Sequence, residues 1–81
     1  MKILHIIRTP NDATPLEIAR SQSVQHEVVI ILLHDAVYAS PDLRTYACAA
    51  DALARGVTRH ECVDYKRIVE MLFEHDIVVS W

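Results

Sequence analysis

The six residues Val28-Val29-Ile30-Ile31-Leu32-Leu33 constrain this chain more than any others. They are apolar without a break, β-branched over the first four positions, and show no in–out alternation. A strand of that kind is buried on both faces, which is what helices packed above and below a parallel sheet produce. The run predicts an α/β protein with this strand at its centre. It is also far too short to span a bilayer, which takes about 20 apolar residues.

The 81 residues leave room for one domain, residues 1–81. A chain of this size buries roughly 60–65% of the surface its unfolded form exposes, so its stability margin is thin. A hydrophobic content of 52% against 23% charged residues is too apolar for disorder. Gly56 is the single glycine, which excludes the Gly-rich phosphate loops of dinucleotide and mononucleotide binders. The formal charge is −3, and no basic cluster is longer than Lys66-Arg67, so no nucleic-acid partner is expected. Met1 to Arg8 is too short and too soon interrupted for a signal peptide, and no membrane association is expected. With two cysteines, the expectation is a cytoplasmic protein with reduced thiols.

Ile3 to Ile7, closed by Arg8-Thr9-Pro10-Asn11-Asp12, reads as a strand and a turn. Thr14-Pro15-Leu16-Glu17 combines three helix-start devices: a side chain able to accept a first-turn amide, a proline at the first helical position, and a glutamate to complete a capping box. This helix should run to about Ser23 and bury Leu16 and Ala19. His34-Asp35 ends the central strand, and Ala36 to Ser40 predicts a short helical turn before Pro41. Arg44 to Cys48 reads as a third, shorter strand. Asp51 to Arg55 is helix-forming and is stopped by Gly56 at a left-handed position. Asp64 is a good N-cap, and Val63 can pack on Ile68 as a hydrophobic staple. Tyr65, Ile68, Val69 and Leu72 fall on one face of a helix ending near Glu74. Ile77 to Val79 is a final strand. The order predicts a small three-layer α/β sandwich with a mostly parallel four-stranded sheet. Its exposed sheet edges favour association with itself or with a partner.

In an open α/β sheet, reactive groups gather beyond the carboxyl ends of the strands, beside helix starts. His34-Asp35 and Cys48 fall there. Helix-start amides favour an anion, so a thiol placed at one ionises more readily, while Asp51 three residues on works against this. Flanked by Ala47 and Ala49, Cys48 on spacing alone reads first as a small buried hydrophobe. His34 and Asp35 are candidates to line the thiol's approach, although adjacent strand residues point to opposite faces. His60-x-Cys62-x-Asp64 presents three metal-ligand types without the spacing of known zinc modules, so no metal is expected and a solvated loop before the Asp64 cap is. Thirteen residues separate Cys48 from Cys62, a spacing that permits a resolving disulfide but does not bring the thiols together. His5 reads as a satisfied core or edge histidine, His26 and His75 as surface residues, and Tyr65 and Trp81 as packing or interface residues. Arg55 reads as a cation at a helix C-terminus.

Cys48-Ala49-Ala50-Asp51-Ala52-Leu53-Ala54-Arg55-Gly56-Val57 resembles the Ala-rich segment that follows the sulfur-carrying cysteine in the DsrE/TusD branch of the DsrE-DsrF-DsrH family. Leu32-Leu33-His34-Asp35-Ala36-Val37-Tyr38-Ala39 is similar to that family's strand-end motif, with Ala36 where the family commonly has glycine. The short length, Asp64-Tyr65 and Trp81 look more like the TusB/DsrH branch. The resemblance covers most of the chain, from Val28 to Trp81. It implies a sulfur-relay subunit that takes persulfide sulfur on Cys48 and passes it to a downstream carrier, toward tRNA 2-thiouridine synthesis or sulfur oxidation. It further implies an oligomer with related DsrE/TusD-like subunits or with itself, and no cofactor. TusB-like subunits need not carry sulfur, which leaves a purely architectural role, with Cys48 structural, as the alternative. A small metal-binding or thiol-switch protein using Cys48, Cys62 and His60 is the third reading.

Overall fold

A computed structural model describes residues 1–81. Five strands form its sheet: β1 (Lys2–Ile7), β2 (Glu27–Leu32), β3 (Arg44–Cys48), β4 (Glu61–Val63) and β5 (Ile77–Ser80). Their order across the sheet is β4-β3-β2-β1-β5, and every neighbouring pair is parallel. The helices are α1 (Thr14–Ser23), α2 (Ala49–Ala54) and α3 (Tyr65–Glu74), with a 3-10 turn over His34–Tyr38.

The expected α/β sandwich is present, but with five strands in place of four. The addition is β4, three residues that pair with β3 through Tyr46–Glu61, Ala47–Cys62 and Cys48–Val63. Three residues with one charge carry too little periodicity to announce a strand, and pairing with β3 is what makes them one.

Crossover handedness fixes the layers. The chain steps from β1 to β4 in one direction, then returns past β1 to place β5, so right-handed connections put α3 on the face opposite α1 and α2. Two separate clusters follow. One gathers Ile3, Ile7, Ala19, Val28, Ile30, Leu32, Ala36, Val37, Ala47, Ala52 and Val57 under α1, α2 and the 3-10 turn. The other gathers Leu4, Val29, Ile31, Cys48, Val63, Ile68 and Met71 under α3. Alternate residues of β2 enter alternate clusters, as two-sided burial of the Val28–Leu32 run requires.

Helix starts are only partly as read. Asp12 Oδ1, not Thr14, accepts an amide at the entry to α1, from the Thr14 N–H at 3.0 Å. Asp64 does cap α3, accepting the Arg67 N–H at 2.8 Å. Asp64→Ala should therefore cost about 1 kcal/mol, measured as a shift in the urea midpoint at unchanged slope. Gly56 adopts φ +65, the left-handed position expected beyond α2.

The apolar side of α3 is wider than the sheet covers. Ile68 and Met71 are buried, whereas Tyr65, Val69 and Phe73, at i, i+4 and i+8, stand exposed, and Val78 of the edge strand β5 is half-exposed on the same face of the sheet. The expected face of Tyr65, Ile68, Val69 and Leu72 is thus split between core and surface. No helix is long and apolar enough to cross a membrane.

Candidate functional site

Parallel strands bring all their carboxyl ends to one edge of the sheet. There β3 delivers Cys48, the 3-10 turn delivers His34 and Asp35, α2 delivers Asp51 and Arg55, and α3 begins at Tyr65. Cys48 is the N-cap residue of α2, with φ −62 and ψ 123, so its side chain falls on the α3 face while the helix leaves toward the other. Cys48 is completely buried, as its reading as a small hydrophobe has it, whereas sulfur exchange requires the thiol to be reached. Alternation explains this, since Cys48 points inward on the same face as Tyr46, Val63 and Ile68.

Two polar groups lie near that sulfur, the Asp51 carboxylate and the Tyr65 hydroxyl, and the ionisation of each responds to the thiol. Asp51 is fixed by its neighbours. Its Oδ2 accepts the His34 N–H at 2.8 Å, Arg55 Nη1 lies 3.8 Å from its Oδ1, and its side chain is only 16% exposed. The His34 N–H is the main reason the Asp51 carboxyl is held below its ordinary value. Partial burial opposes that shift, while contact with the thiol and the charges of His34 and Arg55 add to it. The Tyr65 hydroxyl is pushed the other way, first by its contact with Cys48 and then by the negative charge of Asp51.

His34 enters this cluster by its backbone rather than its ring. It takes φ +51, a left-handed conformation, and this aims its N–H at Asp51. Its imidazole is exposed, and no acid–base pair forms with Asp35. Asp35 instead accepts from Arg55 Nε at 2.9 Å. Arg55, expected as a simple helix-end cation, ties Asp35, Asp51 and the Asp51 carbonyl together.

A lowered carboxyl stabilises the fold above the pKa of the unfolded chain, near 3.9, and that stability is lost as pH falls through the folded value. Asp51→Ala should cost about 1–2 kcal/mol at pH 7. Urea melts of parent and variant should converge as the pH is taken below about 4.

The remaining candidates lie apart. Cys62 is exposed, and because it pairs with Ala47 it faces away from Cys48 across the sheet, so the two thiols cannot form a disulfide without rebuilding β4. His60 Nε2–H donates to the Val37 carbonyl at 2.9 Å. No three or more His, Cys, Asp and Glu side chains converge anywhere. A cleft of about 220 Å³, lined by Lys2, Glu27, Arg44, Arg67 and Glu74 among others, lies at the amino ends of the strands, far from Cys48. Its rim carries both signs of charge, and Arg67 is already paired with Glu74 at 2.7 Å.

Layer order, five parallel strands and crossover pattern together make a shape that can be compared with solved structures. The chain has the fold of the ychN protein of E. coli. The two superpose with a TM-score of 0.80 over 99% of this chain and 98% of that one, at 14% sequence identity. At that identity the likeness establishes the shared fold and nothing finer, so it does not single out the TusB branch. No family model matches the sequence, and no curated protein does either. Tyr65 is the site residue that sequence reasoning assigned only to packing. Its position directly after the Asp64 cap, on the helix that follows the strand next to Cys48, is the signal that marks it.

Proposed function

We propose that the chain is a sulfur-relay subunit in which Cys48 accepts sulfur from a donor persulfide and hands it to the thiol of a downstream carrier. One observation carries this reading: Cys48 ends β3 at the carboxyl edge of the sheet and is the N-cap residue of α2, with the anchored Asp51 carboxylate in that helix's first turn. The YchN-like fold is in keeping with it. In the reaction, Cys48 sulfur attacks the outer sulfur of R–S–SH and a new S–S bond forms as the donor's S–S bond breaks. The thiol proton ends on the departing R–SH, giving Cys48–S–SH with no net oxidation. The Tyr65 hydroxyl donates to the sulfur while negative charge gathers on it, and Asp51 fixes the direction of the S–H. No metal or organic group takes part.

Because the sulfur is completely buried, access requires the start of α3 to give way, and Tyr65, 64% exposed and in neither core cluster, can turn outward at little cost in packing. Exposed Val69 and Phe73 on α3, with Val78 of β5 on the same face, offer the surface for assembly with like-folded subunits or with a second copy.

Incubation with a cysteine desulfurase and cysteine, followed by intact mass measurement, tests the reading. One added sulfur is expected on the parent chain and on Cys62→Ser, and none on Cys48→Ser. Complete burial of Cys48 favours a second reading, an assembly subunit whose cysteine is packing. An unmodified parent chain, with Cys48 inert to alkylation in the folded state, is the result that reading requires.

A further inference from the structure

His5 is the one fully buried polar side chain of the core, and the proposed sulfur chemistry does not use it. Its two ring nitrogens are both engaged. Trp81 Nε1–H, which can only donate, points at His5 Nδ1 at 3.0 Å, so Nδ1 is the bare nitrogen and accepts. The proton therefore sits on Nε2, which donates to Gln22 Oε1 of α1 at 2.6 Å. Indole and imidazole lie nearly parallel, with centroids 6.2 Å apart and planes inclined by 16°.

Trp81 is the residue that seals the end of β5. Its N–H donates to the Ile6 carbonyl at 2.9 Å, the last bond of the β1–β5 ladder. Arg8 Nε donates to the Trp81 carbonyl at 3.1 Å, and Arg8 Nη2 to Ser80 Oγ at 2.9 Å. These contacts close the carboxyl ends of β1 and β5, where the strand order reverses and where open α/β sheets form their crevice.

We infer that His5 is a proton-operated latch on the β5 end: a proton added at Nδ1 releases the Trp81 indole and opens the edge between β1 and β5. The cause is geometric. A second ring proton sets two N–H donors against each other at 3.0 Å, and it leaves a cation in a fully buried site with no Asp or Glu paired to it. The elements around His5 bring no carboxylate side chain to it. β2 presents Ile30 as its register partner and β5 presents Val79, α1 contributes Ala19 and Gln22, and the 8–81 contacts contribute Arg8, itself cationic and directed at main-chain and hydroxyl oxygens. His5 forms no ion pair.

Because Trp81 is the single tryptophan, its indole N–H gives one resonance to follow. The test is two-dimensional ¹H–¹⁵N NMR of the full chain from about pH 8 down to about pH 4.5, reading the His5 ring nitrogens and the exchange protection of the indole N–H, with backbone amides of β2 reporting global folding. At high pH His5 is expected as the Nε2–H tautomer. On acidification the indole N–H should lose protection by tenfold or more in step with protonation of His5, while the β2 amides stay protected. In His5→Asn, whose Oδ1 can still accept from Trp81, the indole protection should not change over the same range. The latch is overturned by an Nδ1–H tautomer, by an indole that stays protected once His5 is charged, or by loss of indole and β2 protection together. It is equally overturned if His5→Asn keeps the acid response or His5 stays neutral throughout.

Discussion

Ile30→Ala should destabilise the domain by about 3–4 kcal/mol and leave much of the population unfolded at 37 °C. Ile30 has no exposed surface and lies in the central strand, paired with His5 of β1 on one side and Thr45 of β3 on the other. It contributes to the larger cluster, whose other members on α1 and α2 are alanines, Ala19 and Ala52. Alanines have no side-chain reach to refill a lost volume, so the cavity stays open and its cost adds to the lost transfer energy. A chain of this length has a total stability of about 4–12 kcal/mol on a per-residue scale, so one truncation removes a large share of it. Urea titration followed by circular dichroism measures the change. Its slope should stay the same, since the surface exposed on unfolding is nearly unaltered.

The second large effect is kinetic. Tyr65→Ala should raise the rate at which Cys48 reacts with an aromatic disulfide reagent by about tenfold or more, because attack requires contact with a sulfur that is wholly covered in the parent chain. Tyr65 is mostly in solvent, so its removal should leave the fold intact, which the melting curve checks. Tyr65→Phe separates cover from hydrogen bonding. It keeps the ring and removes the hydroxyl, so Cys48 should stay slow toward the reagent. Cys62 is exposed in every variant and reacts first, which makes Cys62→Ser the proper background for the measurement.

Much of the fold is legible from residues whose local preference agrees with their tertiary place. The unbroken Val28–Leu32 run is buried on both faces, Asp64 caps α3, and Gly56 sits at positive φ. β4 was not legible, because Glu61-Cys62-Val63 becomes a strand only through its neighbour. The split face of α3 was missed for a related reason. Spacing shows which side of a helix is apolar, not how much of that side the sheet is broad enough to cover.

The candidate site divides in the same way. Placement of Cys48 at the end of β3 and the start of α2 follows from sequence, since strand and helix signals meet there. Its burial does not, because inward or outward direction depends on the register with β2 and β4. Asp51 was visible as a nearby charge, but its anchoring by the His34 N–H depends on a left-handed histidine that no local motif announces. Arg55 was read from helix position alone, and its bridge to Asp35 closes a gap of twenty residues in the chain.

The most direct measurement locates the transferred sulfur. The parent chain is loaded from a desulfurase, alkylated under native conditions to trap persulfides, digested, and its two cysteine peptides are read by tandem mass spectrometry. Sulfane sulfur on the peptide containing Cys48, with the exposed Cys62 carrying only the alkyl group, is the expected result. Sulfane sulfur on Cys62 alone, or on neither peptide, would contradict a relay that runs through Cys48.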